Sequence, residues 1–224
     1  MRSMPSGIRK KPAKLKPSQV AESIRQAIFQ GQYKPGDPLL ELHLAEQFHV
    51  SQATVREALA SLAHAGLVRR FPNKGSFVTS LSPREVAELV RLRALLEELA
   101  AGDAALRASL EEVSTLKSLL AEMKSAAEAG DYYGAAQADL AFHRAVWKLS
   151  GDGTLCRVLD QVTVPLFAFE SVRRSLHHDT LSHLLREHEE LLDAIASRNS
   201  GRAREAARLH IERAYAARIS LTAP

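Results

Sequence analysis

The sequence contains one cysteine, one tryptophan and few aromatic residues, which make up 5% of its 224 residues. A single cysteine excludes an internal disulfide framework, and Cys156 lies on an apolar helical pattern that predicts a buried thiol. No apolar run approaches the roughly 18 residues that a membrane-spanning helix needs. The N-terminus lacks the apolar core and the cleavage site of a signal peptide, so we expect a cytoplasmic protein.

Charged residues are common but unevenly distributed along the chain. Residues 1–80 contain 12 of the 30 Lys and Arg and 5 of the 26 Asp and Glu, which leaves 18 and 21 for residues 81–224. Because only the front part has a clear positive excess, we expect that part to meet a polyanion. Residues 1–16 are basic, contain two prolines and show no periodicity, which predicts a disordered arm.

The stretch from Leu39 to Leu67 predicts two helices joined by a tight turn. Ser51 is placed to cap the second helix, because its hydroxyl can accept a free backbone N–H of the first turn. The polar flank of that helix, with Gln52 and Arg56, can bond base edges in a major groove, although an ordinary helical hairpin is the alternative. Apolar residues recur at helical spacing at Leu39, Leu42, Ala45 and Phe48, and then at Val55, Ala58, Leu59 and Leu62.

A β-hairpin is predicted directly after these two helices. Residues 67–71 and 77–79 are apolar, β-type runs, and the turn between them contains Asn73-Lys74-Gly75. A hairpin behind a helix-turn-helix is the wing of a winged-helix DNA-binding domain. The predicted wing therefore favours a DNA-binding domain over an ordinary helical hairpin.

Roughly residues 18–80 resemble the winged helix of the GntR superfamily. The matching residues include Gly31, Pro35-Gly36, Leu39, Glu41, Leu44-Ala45, Val50-Ser51, Val55-Arg56-Glu57-Ala58-Leu59, Leu62, Gly66-Leu67-Val68, Asn73-Lys74-Gly75 and Val78. The resemblance implies a double-stranded DNA operator as partner and these DNA contacts: Ser51, Gln52, Thr54, Arg56, Lys74 and Gly75. Gln52 stands where the family usually has Arg, and Leu42 and His43 stand where many members have a basic residue. The operator sequence therefore does not transfer, because Gln prefers adenine and Arg prefers guanine.

The remainder of the chain predicts six helices, which short links would arrange as an antiparallel bundle. Ser82, Pro83 and Glu85 give the start signals of the first helix, and Pro165 predicts a kink or break in the fourth. The expected helices span about 83–105, 110–129, 131–149, 153–177, 180–198 and 201–220. Further caps are expected at Ser109, Asp152, Asp179 and Ser200. In the first helix we expect these residues mostly inward: Val86, Leu89, Val90, Leu92, Leu95 and Leu96.

Three helices of this bundle place a histidine on the apolar stripe. Asp139 and His143 are four residues apart in the third helix, and His188 and His210 follow in the fifth and sixth. Buried without a cation, facing imidazoles would lose hydration with no compensating partner. One divalent metal removes that cost, and imidazole with carboxylate suits zinc, nickel, iron or manganese. The alternative is that each histidine is an ordinary core residue with its own hydrogen-bond partner.

Residues 83–220 resemble the FCD domain of the FadR subfamily, in its six-helix, VanR-like branch. The resemblance is carried by Arg93-x-x-Leu96-Glu97, Asp139-x-x-Phe142-His143, Glu187-His188-x-x-Leu191-Leu192 and His210. It implies one divalent metal ion per chain, zinc or nickel, on Asp139, His143, His188 and His210. It also implies a small organic acid effector, which Arg93 could clamp through two parallel hydrogen bonds. An ion pair between Arg93 and Glu97 is the alternative for that arginine.

These patterns together predict a mainly α protein with a winged helix-turn-helix and a six-helix FCD-like bundle. The expected division is an arm at 1–16, a DNA-binding domain at 17–80, and a metal-binding, effector-binding and dimerisation domain at 81–224. We expect a homodimeric transcription regulator on an inverted-repeat operator, without a membrane partner and without enzymatic activity. The alternatives are a metal-dependent hydrolase and a DNA-binding protein whose bundle only dimerises.

Overall fold

The computed structural model describes residues 15–177 and 182–219, apart from the side chains of residues 170–184 and 216–219. Most of the predicted N-terminal arm, the Asp179 cap and His178 lie outside the described residues. Within them, no helix is both long enough and apolar enough to cross a membrane.

The front part of the chain is a helix-turn-helix with a three-stranded sheet. Its elements are α1 (Pro17–Phe29), β1 (Pro38–Leu39), α2 (Glu41–Phe48), α3 (Gln52–His64), β2 (Val68–Phe71) and β3 (Gly75–Val78). Both strand pairs are antiparallel in the order β1-β3-β2, and Val68 faces Val78 across the hairpin. The buried stripe of α3 is the predicted one, and it packs against α1.

The start of α2 was predicted incorrectly. Leu39 belongs to β1 and pairs with Ser76, and Leu42 is 59% exposed instead of buried. The backbone N–H of Gly36 donates to Val78 O at 3.0 Å, and the N–H of Val78 donates to Asp37 O at 2.9 Å. These bonds hold the chain beside β3 for two more residues, so the helix begins only at Glu41.

In the part of the chain that the structure describes, six helices follow the wing, as predicted. They are α4 (Pro83–Arg107), α5 (Leu110–Glu128), α6 (Tyr132–Leu149), α7 (Gly153–His177), α8 (Ser182–Ala196) and α9 (Ser200–Ile219). Ser82 and Ser109 form the predicted capping boxes, and Asp152 accepts from two amides of α7. The cap of α9 is Asn199 instead of Ser200, because the Asn199 side chain accepts from the Arg202 amide. The helix α7 continues through Pro165, so the predicted break does not occur.

The winged part packs directly on the bundle. Phe29 of α1 meets Tyr133 of α6 edge to face at 6.0 Å, and the Tyr133 hydroxyl bonds Glu22 at 3.2 Å. One hydrophobic core runs from α1 and α3 into α6 and α7. Cys156 packs at the border of this core but is only half-buried, so the prediction of a buried thiol was wrong in degree. Partial burial raises the pKa of its thiol.

Candidate DNA interface and metal centre

The helix α3 presents the predicted polar flank to solvent. Ser51 caps it, because its Oγ accepts from the Thr54 amide at 3.2 Å and lies 2.9 Å from Thr54 Oγ1. Gln52 and Arg56 are exposed, and Thr54 is half-buried. The Ser51 hydroxyl therefore orders the start of the helix, and Gln52 and Arg56 lie on its exposed side.

Arg56 has a partner that the sequence reasoning missed. Its Nη2 donates to Glu41 Oε2 at 2.8 Å, and its Nε lies 3.2 Å from the same oxygen. This hydrogen bond and the carboxylate charge raise the pKa of Arg56. Glu41 is the first residue of α2, so the pair holds the guanidinium across the two helices of the motif.

Lys74 and Gly75 lie at the tip of the wing, as predicted. Asn73 and Gly75 have φ values of 60° and 97°, a left-handed conformation that Asn and Gly adopt at little cost. Lys74 is therefore exposed on a tight turn. At the other end of the hairpin, Arg69 Nη2 donates to Glu85 Oε1 at 2.8 Å. A backbone bond from Ser82 and the bond from Arg69 lower the pKa of Glu85 to about 2.

The bundle brings the four predicted metal ligands together. Asp139 and His143 of α6, His188 of α8 and His210 of α9 are at most 3% exposed. Asp139 Oδ1 lies 3.0 Å from His188 Nε2 and 3.4 Å from His143 Nε2. The Nε2 atoms of His143 and His210 are 3.2 Å apart.

Glu97 of α4 orients His143 from the far side of the ring. Glu97 Oε2 lies 3.0 Å from His143 Nδ1 and accepts from Trp147 Nε1 at 2.9 Å. A carboxylate can only accept at this site, so Nδ1 carries the proton and the Nε2 lone pair of His143 points at Asp139 and His210. A second carboxylate oxygen, Glu187 Oε2, lies 3.4 Å from His210 Nδ1.

Arg93 belongs to the same network. Its Nε donates to Glu97 Oε1 at 3.0 Å and its Nη1 to the Tyr215 hydroxyl at 3.3 Å. Its guanidinium lies 5.0 Å from the centre of the Phe167 ring. The ion pair with Glu97 that the sequence offered as an alternative is therefore present. The Nη2 atom of Arg93 is buried and has no hydrogen-bond partner among the described residues.

The electrostatics keep the imidazole neutral and the carboxylate ionised. Burial lowers the pKa of His143, even though Glu97 opposes that shift. Burial alone would raise the pKa of Glu97, but the charge of Arg93 and the hydrogen bonds from His143 and Trp147 lower it to about 2. Neutral imidazole with an ionised carboxylate behind it is the form that binds metals.

The three imidazoles, with the Asp139 carboxylate beside two of them, fit a divalent ion. At metal–ligand distances near 2.1 Å, ligand atoms are separated by about 3.4 Å in a tetrahedral site and about 3 Å in an octahedral one. The observed separations of 3.0, 3.2 and 3.4 Å lie in this range. The nitrogens that His143, His188 and His210 can offer all lie within 4.8 Å of one another. The two Nε2 atoms of His143 and His210 can share one hydrogen bond at 3.2 Å, which a shared cation would replace.

The ligands of the site were predicted from the sequence, but the residues that support them were not. Glu97 was considered only as a partner of Arg93, and Glu187 and Tyr215 were given no role. The available signal was the spacing of Arg93 and Glu97, which places two charged residues on one helical face. His43, His49 and His64 are exposed, as expected for surface residues. The side chains of His177, His178 and His183 lie outside the described residues.

Comparison with known proteins agrees with both parts of the fold. The model of the bacterial regulatory proteins of the gntR family matches residues 16–78, and that of the FCD domain matches residues 88–213. The HTH-type regulator YdhC of Bacillus subtilis is 28% identical over 194 residues, which cover 86% of this chain and 84% of YdhC. A regulator from an unstable DNA locus of Streptomyces ambofaciens is 32% identical over 197 residues, covering 86% of this chain and 80% of its own.

A solved structure shows the same fold over nearly the whole chain. Escherichia coli McbR/YncC superposes with a TM-score of 0.79 at 23% identity, covering 92% of this chain and 98% of its own. These proteins are transcriptional regulators, which removes the support for the metal-dependent hydrolase alternative. The chain belongs to the GntR family of bacterial transcriptional regulators and carries an FCD domain.

Proposed function

We propose that this regulator is a homodimer whose binding to an inverted-repeat operator is controlled by a small organic acid held at a metal centre. The observation that carries the proposal is the buried cluster of imidazoles and carboxylates, linked through Glu97 to Arg93. A helical bundle needs no such cluster to fold, because buried charges are costly unless they are fully paired. Repression is the mode we propose, as in the name of a relative, the probable D-xylose utilization operon repressor of Paenarthrobacter nicotinovorans.

The proposed metal ligands are Asp139, His143, His188 and His210, with one zinc or nickel ion per chain. Glu97 would support this set by fixing the proton of His143 on Nδ1. When bound, the ion would supply a Lewis-acidic positive charge to which a carboxylate can bind. Each chain thus contributes a complete ligand set from its own helices.

Two buried polar atoms support an anion site beside this centre. Arg93 Nη2 and Thr163 Oγ1 are both buried without a hydrogen-bond partner among the described residues. Thr163 lies one helical turn before Phe167 on α7, so both point to the same side, where Phe167 packs on Arg93. A guanidinium and a hydroxyl are donors that a carboxylate satisfies. We therefore propose a small carboxylate as the effector.

Thr163→Val tests this site with little risk to the fold. The effector-free variant should be as stable as the wild type or up to about 1 kcal/mol more stable, because an unpaired buried hydroxyl is replaced by an isosteric methyl. A panel of small hydroxy acids, screened by thermal shift, should contain at least one that raises the melting temperature of the wild type. The same acid should stabilise Thr163→Val less. An equal shift in both proteins would place the acid elsewhere.

The outer face of α4 supports the homodimer. Leu92, Leu99 and Leu106 recur every seven residues and are 46–63% exposed, and Leu95 between them is 56% exposed. The prediction that Leu92 and Leu95 face inward was wrong, because α4 turns its charged Arg93 and Glu97 inward instead. A contiguous exposed leucine surface of this kind marks a protein interface.

Charges beside the leucines fit a second copy of the chain. A groove of about 420 Å³ between α4 and α9 contains Arg91 and Glu98 beside Leu95. In a two-fold contact each residue pair occurs twice, so Arg91 of one protomer can meet Glu98 of its partner. The surface is therefore self-complementary in charge as well as apolar.

Leu95→Glu tests the dimer. Light scattering should report a dimer for the wild type and a monomer for this variant, because the new carboxylate would be buried in the interface without a partner. The matched control is Leu110→Glu, at an 86% exposed leucine outside α4, which should remain dimeric. On DNA, the wild type should protect two half-sites about one helical turn apart. A dimeric Leu95→Glu protein would assign the interface to another surface.

A further inference from the structure

The turn that ends α3, the helix proposed to enter the major groove and called the recognition helix below, contacts the proline inside α7. Gly66, two residues after the end of α3, has a φ of 76°, and a methyl group placed on it would lie 2.7 Å from Pro165 Cγ. Pro165 is buried and its ring occupies the space that a side chain at position 66 would need. Only a glycine backbone therefore allows α3 and α7 to approach this closely.

Pro165 also changes the backbone at this point of α7. A proline has no N–H, so the carbonyl of Gln161, four residues earlier, loses its helical donor. The methyl group placed on Gly66 would lie 3.7 Å from this same carbonyl oxygen. The irregular point of α7 and the end of the recognition helix thus coincide.

The opposite face of this segment of α7 contacts the metal centre. Phe167 lies two residues after Pro165, which turns it by about 200° around the helix. Its ring meets His143 edge to face at 6.1 Å and lies under the Arg93 guanidinium. The segment from Pro165 to Phe167 therefore connects the end of the recognition helix with the proposed metal and anion site.

An open cleft lies beside the contact. It has a volume of about 400 Å³ and lies between His64 and Ala65 of the α3 end and Arg144, Gln161 and Val164 of the bundle. The helix α3 and the bundle are thus in contact at Gly66 and leave open space directly beside that contact.

We propose that Gly66 and Pro165 form the joint through which the state of the metal centre changes the position of the recognition helix. The proposal rests on the proposed function, in which the centre controls operator binding. A shift of Phe167 against His143 or Arg93 would move Pro165 on the other side of the same helical turn. The contact at Gly66 would pass this movement to α3.

The first experiment tests the contact with a double-mutant cycle in the full chain. Gly66→Ala should destabilise the wild type, because of both its positive φ and its clash with the proline ring. In the Pro165→Ala background the φ penalty persists but the ring is gone, so Gly66→Ala should destabilise less. Pro165→Ala itself should fold, since alanine restores the amide that α7 lacks. Additive effects of the two substitutions would overturn the contact.

The second experiment tests transmission by hydrogen exchange, with zinc alone as the probe. The amides of Gly66 and Leu67 donate to the Ala63 and Leu62 carbonyls and report on the end of α3. Removing zinc from the wild type should speed their exchange by about fivefold or more, and Pro165→Ala should reduce this response to less than about twofold. Val158→Ala, on the same face of α7, should respond like the wild type.

If the wild type binds zinc, three outcomes of the exchange experiment would overturn the joint: no response in the wild type, a full response in Pro165→Ala, or a lost response in Val158→Ala. If the protein binds no zinc, the proposed metal function fails, but the joint is still tested. In that case His143→Ala disturbs the ring contact with Phe167 directly. The same two amides should then change exchange rate in the wild-type background and not in Pro165→Ala.

Discussion

Removing the metal with a chelator should lower the melting temperature of the purified protein by about 5–15 °C. A ligand present at 100 to 1,000 times its dissociation constant stabilises the native state by about 2.7–4.1 kcal/mol. For a protein of this size, each kcal/mol corresponds to about 2–4 °C. The physical reason is local: the ion would join α6, α8 and α9 through His143, His188 and His210, whose ring nitrogens lie within 4.8 Å of one another. Differential scanning calorimetry, with and without chelator, measures the shift.

Variants separate the ligands from their supporting residues. His188→Ala should reduce the metal content from one ion per chain to near zero, and its melting temperature should no longer respond to chelator. Glu97→Gln keeps the shape but loses the buried charge behind His143, so it should weaken metal binding by about 10–100-fold. His64→Ala, at an exposed histidine, is the matched control and should behave like the wild type. A wild type without metal by elemental analysis and without a chelator effect would contradict the assignment.

The parts of the fold that sequence reasoning predicted depend on local patterns. The buried stripe of α3 follows from a 3.6-residue period, and the starts of α4 and α5 follow from Ser82 and Ser109 with a glutamate three residues later. The Arg93–Glu97 pair was available as an alternative because residues four apart in a helix are neighbours. Asp139 and the three histidines stood out because each lies on the apolar stripe of its own helix, and the resemblance to the FCD domain implied that they form one ligand set.

The parts that were missed depend on contacts between distant residues. The two-residue strand β1 exists only because β3, almost forty residues later, bonds to it. Glu97 is 46 residues from His143, and no local pattern shows that its carboxylate would meet that ring. The buried face of α4 was predicted incorrectly because leucines are expected to face the core. An inward Arg93 and Glu97 reverse that expectation, and reversals of this kind are common at functional sites.

The polar centre and the exposed leucines of α4 have the same cause, which is the face that the helix turns towards the core. A helix has one inward face, and in α4 residues 93 and 97 occupy it together with small alanines. The leucines must then face outward, where they need a partner to be buried. The proposed effector site and the proposed dimer interface therefore lie on opposite faces of the same helix. A change in the position of α4 would reach both chains of a dimer at once.

Arg56→Ala should weaken binding to the operator by about 1–3 kcal/mol, which is the value of one bidentate contact with a base edge. That loss corresponds to roughly a 5- to 150-fold increase in Kd. Arg56 is exposed on the polar flank of α3, and Glu41 holds one edge of its guanidinium. Glu41→Gln should therefore lower the ratio of operator binding to nonspecific DNA binding, because the guanidinium loses its fixed orientation and the site loses a negative charge.

Salt dependence distinguishes a base contact from a phosphate contact in these variants. Lys74→Ala at the wing tip should reduce the slope of log K against log salt by about 0.9, as expected for one lost phosphate contact. Arg56→Ala should change the affinity for the operator while leaving binding to unrelated DNA nearly unchanged. The matched control is Arg213→Ala on α9, an arginine that is likewise exposed and paired with a glutamate but lies outside the winged part. If Arg56→Ala and Arg213→Ala bound the operator equally in a fluorescence titration, the opposite flank of α3 would have to be the one that enters the groove.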